Sequence, residues 1–122
     1  MRVDEYIRED GSNPYRRWFE SLDIHAEAQV STVRARLELG LTSRIKWLPG
    51  GIGEYIIDWG PGYRIYLAMG GKALIILLGG GTKRTQSADI DRARALYAEY
   101  KTRKKEETAA RKGRNPQGRK ER

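Results

Sequence analysis

The sequence predicts a single α+β domain in which two helices pack on one face of a mainly antiparallel sheet. Three observations carry that prediction. Apolar residues recur at i, i+3, i+4 and i+7 through the first third of the chain, the period changes to alternation from Ile45 onward, and glycine turns cut the alternating part into short strands. Residues 2–8, RVDEYIR, alternate loosely as a strand does, and DGSNP at 10–14 breaks it. Asn13 is a good N-cap and Pro14 suits the first helical position, after which Tyr15, Trp18, Phe19 and Leu22 fall on one apolar side. Asp23 can cap a second helix, where Ala26, Val30, Val33 and Leu37 repeat the pattern. Arg34, Arg36 and Glu38 lie off that stripe, and Gly40 supplies a left-handed stop.

The alternating part reads as a meander of three or four strands, with strands at 53–59, 63–69 and 72–78. Gly70-Gly71 suits a two-residue hairpin turn and Pro61-Gly62 the centre of a type II turn. If Trp59 opposes Tyr63, then Tyr55, Ile57, Trp59, Tyr63, Ile65 and Leu67 share a core face. Glu54, Ile56, Asp58, Arg64 and Tyr66 share the other, with Asp58 directly opposite Arg64. Thr85 or Ser87 can cap a final helix with Asp89 in its first turn. Its stripe of Ile90, Ala93, Leu96, Tyr97 and Tyr100 is expected to cover Ile75 and Leu77 on the Arg64 side.

Composition excludes several classes of function. The chain of 122 residues fits one domain and has no cysteine, so it can form neither a disulfide framework nor a thiolate zinc site. His25 is the single histidine, reads as a surface residue, and cannot make a metal cluster; no metal or cofactor is expected. The acidic, polar MRVDEYIRED is unlike a signal peptide, and the longest apolar run, ALIILL, is too short to span a bilayer, so the chain reads as soluble and cytoplasmic with no membrane partner. The formal charge of +8 sits at one end: residues 101–122 carry a net +7 and residues 1–100 a net +1. The domain is therefore expected to span 1–100. Residues 101–122 read as a basic, disordered tail, the helix before them reaching at most about Arg111. As a solubilising tail or a phosphate-attracting arm it would lack sequence specificity either way, and composition does not choose between the two.

The residue that stands out is Arg64, a permanent cation inside the strand of GPGYRIY. A cross-strand ion pair with Asp58 would account for it without any function. Its company suggests more: Tyr66 follows on the same face, Glu54 and Asp58 lie on the neighbouring strand, Lys46 precedes the meander, and Lys83, Arg84 and Gln86 follow its last strand. Duller readings exist for each of these. Tyr66 can be a half-buried sheet aromatic, Glu54 can solvate a strand end or pair with Lys72 or Lys46, Lys83 and Arg84 can be surface charges, and Gln86 can bond its own turn.

The combination of GPGYR-x-Y, a GG-x-K segment and Q-x-x-DI, preceded by DGSNPYRRWFESLD, resembles the RelE/HigB-like toxins of type II toxin–antitoxin modules, in the phage-derived addiction module killer protein branch of the RelE/ParE superfamily. The resemblance covers nearly all of residues 5–100. It implies a RelE-like fold, with an N-terminal strand and a two-helix hairpin on an antiparallel meander of three to four strands and a C-terminal helix. It also implies a metal-independent endoribonuclease that inhibits translation by cleaving mRNA on the ribosome, held in a hetero-oligomer with a helix-turn-helix antitoxin. By matching position Arg64 would clamp the phosphate, a role that suits a planar guanidinium, and Lys83 would be the second cation. Tyr66 would stack or donate a proton, Glu54 would serve as base, and Lys46, Arg84 and Gln86 would bind RNA.

Two positions depart from the family pattern. Ile56 stands where the family often has an arginine, and Thr82 replaces an acid in GG-x-K. The same scaffold in the ParE branch poisons DNA gyrase, and a non-enzymatic or inactive nucleic-acid-binding homologue is a further alternative.

Overall fold

The computed structural model describes residues 1–114. In chain order they form strand β1 (Arg2–Glu5), helices α1 (Pro14–Glu20) and α2 (Ile24–Glu38), and strands β2 (Lys46–Trp47), β3 (Ile52–Ile57), β4 (Tyr63–Met69) and β5 (Leu74–Thr82). A short 3-10 turn at Lys83–Thr85 then leads into helix α3 (Gln86–Arg114). The five strands make one sheet in the order β1-β5-β4-β3-β2, antiparallel except where β1 runs parallel to β5. The α+β expectation holds, with the fold built in three layers. Both helix N-termini of the hairpin form as their caps dictate: the Asn13 side chain accepts from the Arg16 N–H and that of Asp23 from the Ala26 N–H, each at 2.9 Å.

One sheet face packs Val3, Tyr55, Ile57, Ile65, Leu67, Ile75 and Leu77 against Tyr15, Val30, Val33 and Leu37 of the hairpin. The opposite face packs Tyr6, Ile52, Tyr66, Ala68, Ile76 and Leu78 against Ala93 and Leu96 of α3. One apolar layer thus holds the hairpin to the sheet and a second holds α3. Glu5, at the end of β1, ties the hairpin to the sheet. Its carboxylate accepts from Asn13 at 2.9 Å and from the guanidinium groups of Arg16 and Arg34. Those partners, Arg16 first, hold its pKa down to about 2 against the pull of burial.

Three sequence expectations are corrected here. The loop from β3 to β4 is longer than expected, because the turn bond runs from the Gly62 N–H to the Trp59 carbonyl with Gly60 at positive φ. Pairing slides by two residues: Ile57 opposes Tyr63, Ile56 opposes Arg64 and Glu54 opposes Tyr66. An even slip keeps every side chain on its expected face but removes Asp58 from Arg64. The β4–β5 loop is longer than Gly70-Gly71 too, and here the slip is odd: Met69 opposes Ile75, so Ile75 and Leu77 face the hairpin while Ile76 and Leu78 lie under α3. The strand expected to end at residue 78 runs on through the glycines at 79–81. They extend β5, after a bulge in which Leu78 and Gly79 together oppose Tyr66.

Helix α3 also runs past Arg111 to Arg114, well beyond the expected domain end at residue 100. The rest of the expected disordered tail, residues 115–122, lies outside the described residues. Among the described residues no helix is long and apolar enough to cross a membrane.

Candidate functional site

The face beneath the first turn of α3 holds the three buried charged groups among the described residues, Glu54, Arg64 and Asp89. Alternation on β3 and β4 sends Glu54, Arg64 and Tyr66 to that face, and the helix start brings Gln86 and Asp89 down on them. Glu54 is the hub. Its Oε2 accepts from the Tyr66 hydroxyl at 3.0 Å and from Gln86 Nε2 at 2.8 Å, and faces Arg64 Nε at 3.6 Å. Glu54 Oε1 and Arg64 Nε are both buried without a hydrogen-bond partner. Buried polar atoms of this kind are ordinarily paired. Burial, then the hydrogen bond to Glu54, pushes the Tyr66 phenol well above its ordinary range. Tyr66 therefore stays protonated and can donate a proton but not accept one.

Two motifs far apart in the chain meet at a single oxygen. The Gly62 carbonyl accepts from Arg64 Nη1 at 2.7 Å and from the Lys83 backbone N–H at 3.1 Å. GPGYR and GG-x-K are thereby joined through the backbone of Gly62 and Lys83. Lys83 and Arg84 are exposed, whereas Arg64 is 7 % exposed and Glu54 fully buried. Gly81 opposes Arg64, and a Cβ there would lie 1.8 Å from Asp89 Oδ2. The missing side chain is what lets the acidic first turn of α3 close over the cluster. Asp89 is in turn held by Thr85 and by Arg92 at 2.8 Å.

The seven sequence candidates thus divide. Arg64, Tyr66, Glu54 and Gln86 form one network, with Lys83 and Arg84 at its exposed edge. Lys46 opposes Glu54 on β2 but is exposed and takes no part in the network. Several duller readings are overturned. Glu54 neither solvates a strand end nor pairs with Lys46 or Lys72, Gln86 bonds Glu54 rather than its own turn, and Arg64 pairs with Glu54 rather than Asp58. Sequence reasoning missed Asp89 as a member of the site, having assigned it only to the helix dipole. No local signal marked it, because the register that sets Gly81 opposite Arg64 emerges only from the bulge and the longer β4–β5 loop.

The cluster adjoins a cavity of about 720 Å³ between α1 and α3. Tyr66 and Asp89 line its inner end, Trp18 its wall, and Arg8, Arg17 and Arg92 add cations. Its size suits a nucleotide-sized occupant; Arg8 is paired with Glu99 and Arg92 with Asp89. Among the described residues no group of three or more His, Cys, Asp or Glu is placed to hold a metal ion.

No family model matches the chain, and no solved structure matches it. An uncharacterized protein of Haemophilus influenzae is 41 % identical to it over 83 residues, which span 67 % of this chain and 84 % of that protein.

Proposed function

Because the chain belongs to one family with this Haemophilus influenzae protein, a kinship that carries no activity with it, we propose its function from the sheet face: a toxin of the RelE/HigB type that cleaves mRNA on the ribosome. The observation that carries the reading is the junction at Gly62, where Arg64 and Lys83 share one carbonyl acceptor. The Arg64 guanidinium held at this junction, with the exposed Lys83 anchored there through its backbone, would stabilise a pentacovalent phosphorane, whose extra negative charge must be offset as it forms.

In the proposed reaction the ribose 2′-oxygen attacks the adjacent phosphorus and its proton passes to Glu54 Oε1, the carboxylate oxygen that lacks a partner. The bond from phosphorus to the 5′-oxygen breaks as Tyr66 protonates the departing oxygen, leaving a 2′,3′-cyclic phosphate and a 5′-hydroxyl. Tyr66 suits the acid role because its phenol is held protonated. The chemistry asks for no metal. Substrate entry displaces Gln86 from Glu54 and lifts the first turn of α3, and the cavity lined by Trp18, Arg17 and Arg92 receives the flanking nucleotide. A helix-turn-helix antitoxin would hold the toxin in an inactive hetero-oligomer. The fold, on this reading, is RelE-like.

Burial favours one second reading. With Arg64, Glu54 and Tyr66 closed under α3, the scaffold can act without cleaving, as a gyrase poison of the ParE kind does. The test uses Lys83→Ala, because Lys83 is exposed and its loss leaves the buried network intact. New RNA 5′-hydroxyl ends are mapped after brief induction in a bacterium without the antitoxin. Cuts within translated regions, reduced at least tenfold in Lys83→Ala at equal protein level, are expected. Growth arrest without new ends, accompanied by DNA breaks, would overturn the ribonuclease in favour of the gyrase reading.

A further inference from the structure

The second half of α3 leaves the domain. Up to Tyr100 the helix lies on the sheet through Ile90, Ala93, Leu96, Tyr97 and Tyr100, and Arg103 makes a last anchor with Nη1 on the Ile7 carbonyl at 2.9 Å. From Lys104 to Lys112 every residue is exposed. Lys101, Lys104, Lys105 and Lys112 follow one another at i, i+3, i+4 and i+11, which puts all four on one side of the helix. Glu106 lies on the opposite side, and Glu107 is taken by Arg111 at 3.0 Å. Like charges this close repel, and the helix holds them without a counter-charge among the described residues. The stripe begins on aromatic rings: Lys101 Nζ sits 4.5 Å from the Tyr97 ring centre and Lys104 Nζ 5.9 Å from that of Tyr100.

We infer that this half of α3 is a docking arm for the phosphate backbone of double-stranded RNA. The four ammonium groups span roughly 17 Å along the helix. That is a distance over which a duplex presents many phosphates. Lysines are point charges without the fixed fork that reads base edges, so the contact is independent of sequence. Beyond Tyr100 the arm has no aromatic side chain on which unpaired bases could stack, which favours a duplex over a single strand. Between the lysines stand Thr108 and Ala109, with no large apolar residue to enter a bilayer. The choice of RNA over DNA rests on the cleavage proposed above; the choice of a phosphate backbone does not.

The experiment measures binding of the full-length chain to a blunt 20-base-pair RNA duplex, a DNA duplex of the same sequence and phosphatidylserine vesicles, across a salt series. The duplex offers no single strand to the candidate site, so this readout is separate from cleavage. Substituting all four lysines by Gln keeps helix propensity and removes the charge. The RNA affinity is expected to fall about 10²- to 10³-fold near physiological salt, with the slope of log K against log salt shallower by roughly three to four units. Glu106→Gln is expected to leave the affinity the same or raise it slightly. Equal RNA binding by the wild-type and four-lysine variants would overturn the inference. So would tighter binding to DNA than to RNA, or binding to vesicles alone.

Discussion

Replacing Glu54 with Gln keeps the shape of the side chain and removes its charge, which isolates the electrostatic part of the buried cluster. Two hydrogen bonds, from Tyr66 at 3.0 Å and Gln86 at 2.8 Å, change from a charged to a neutral acceptor. Bonds to charged groups contribute about 1.5–3 kcal/mol against about 1 kcal/mol for neutral ones, so the pair together weakens by roughly 1–4 kcal/mol. Arg64 also loses its counter-ion. Breaking a buried ion pair by removing one partner typically costs about 3–5 kcal/mol. Here the 3.6 Å separation and the second anchor of Arg64 on Gly62 reduce that cost well below the usual range. The expected total is a destabilisation of about 3 kcal/mol, or roughly 10 °C in melting temperature for a domain of this size. Urea unfolding followed by tryptophan fluorescence measures it. A loss below about 1 kcal/mol would refute the view that Glu54 is the hub. Combining Glu54→Gln with Arg64→Met should restore much of the stability, because no unpaired charge is then buried while the introduced amide still accepts from Tyr66 and Gln86. If the double variant is no more stable than Glu54→Gln, the two residues do not act as a pair.

Glu5 makes folding sensitive to acid. Its folded pKa of about 2 lies below the unfolded 4.5. The roughly 3 kcal/mol this represents is fully present above the unfolded pKa and is lost as the pH falls through the folded one. Urea midpoints between pH 7 and pH 2 should show that loss in the wild type and a flatter profile in Glu5→Gln. Gly81→Ala should destabilise by at least about 2 kcal/mol, since the added methyl would overlap the Asp89 carboxylate, and calorimetry would detect it. Tyr66→Phe removes one of the two side-chain donors to Glu54 and should cost about 1–2 kcal/mol, read from the same urea curves.

Much of the architecture was legible in the chain. Asn13-Pro14 and Asp23 announce both hairpin helices, because a cap is a local event that neighbouring residues decide. Alternation put Glu54, Arg64 and Tyr66 on one face correctly, since a two-residue slip does not change the side to which a chain atom points. Pairing partners were less accessible. They depend on loop lengths, and the glycines around Gly62 and Gly70 permit several. The odd slip at the second hairpin reversed Ile75 and Leu77, which no residue in the run ALIILL could have betrayed, as both faces there are equally apolar. The burial of Glu54 was hidden for another reason: it is caused by the start of α3, thirty-odd residues away, and not by anything in its own strand.

The bulge at Leu78 has a consequence for how this protein can vary. In an unbroken ladder the residue meeting Gly62 would be Thr82; the one-residue excess in β5 advances the strand so that Lys83 arrives there instead. The number of residues between Leu77 and Lys83 sets which residue meets Gly62, while Gly80 and Gly81 are needed for their missing side chains. Loss of Gly79 would straighten the strand and still deliver Lys83 to Gly62, whereas one residue more would carry a different side chain to the arginine. Length drift in this segment should therefore be tolerated in one direction only.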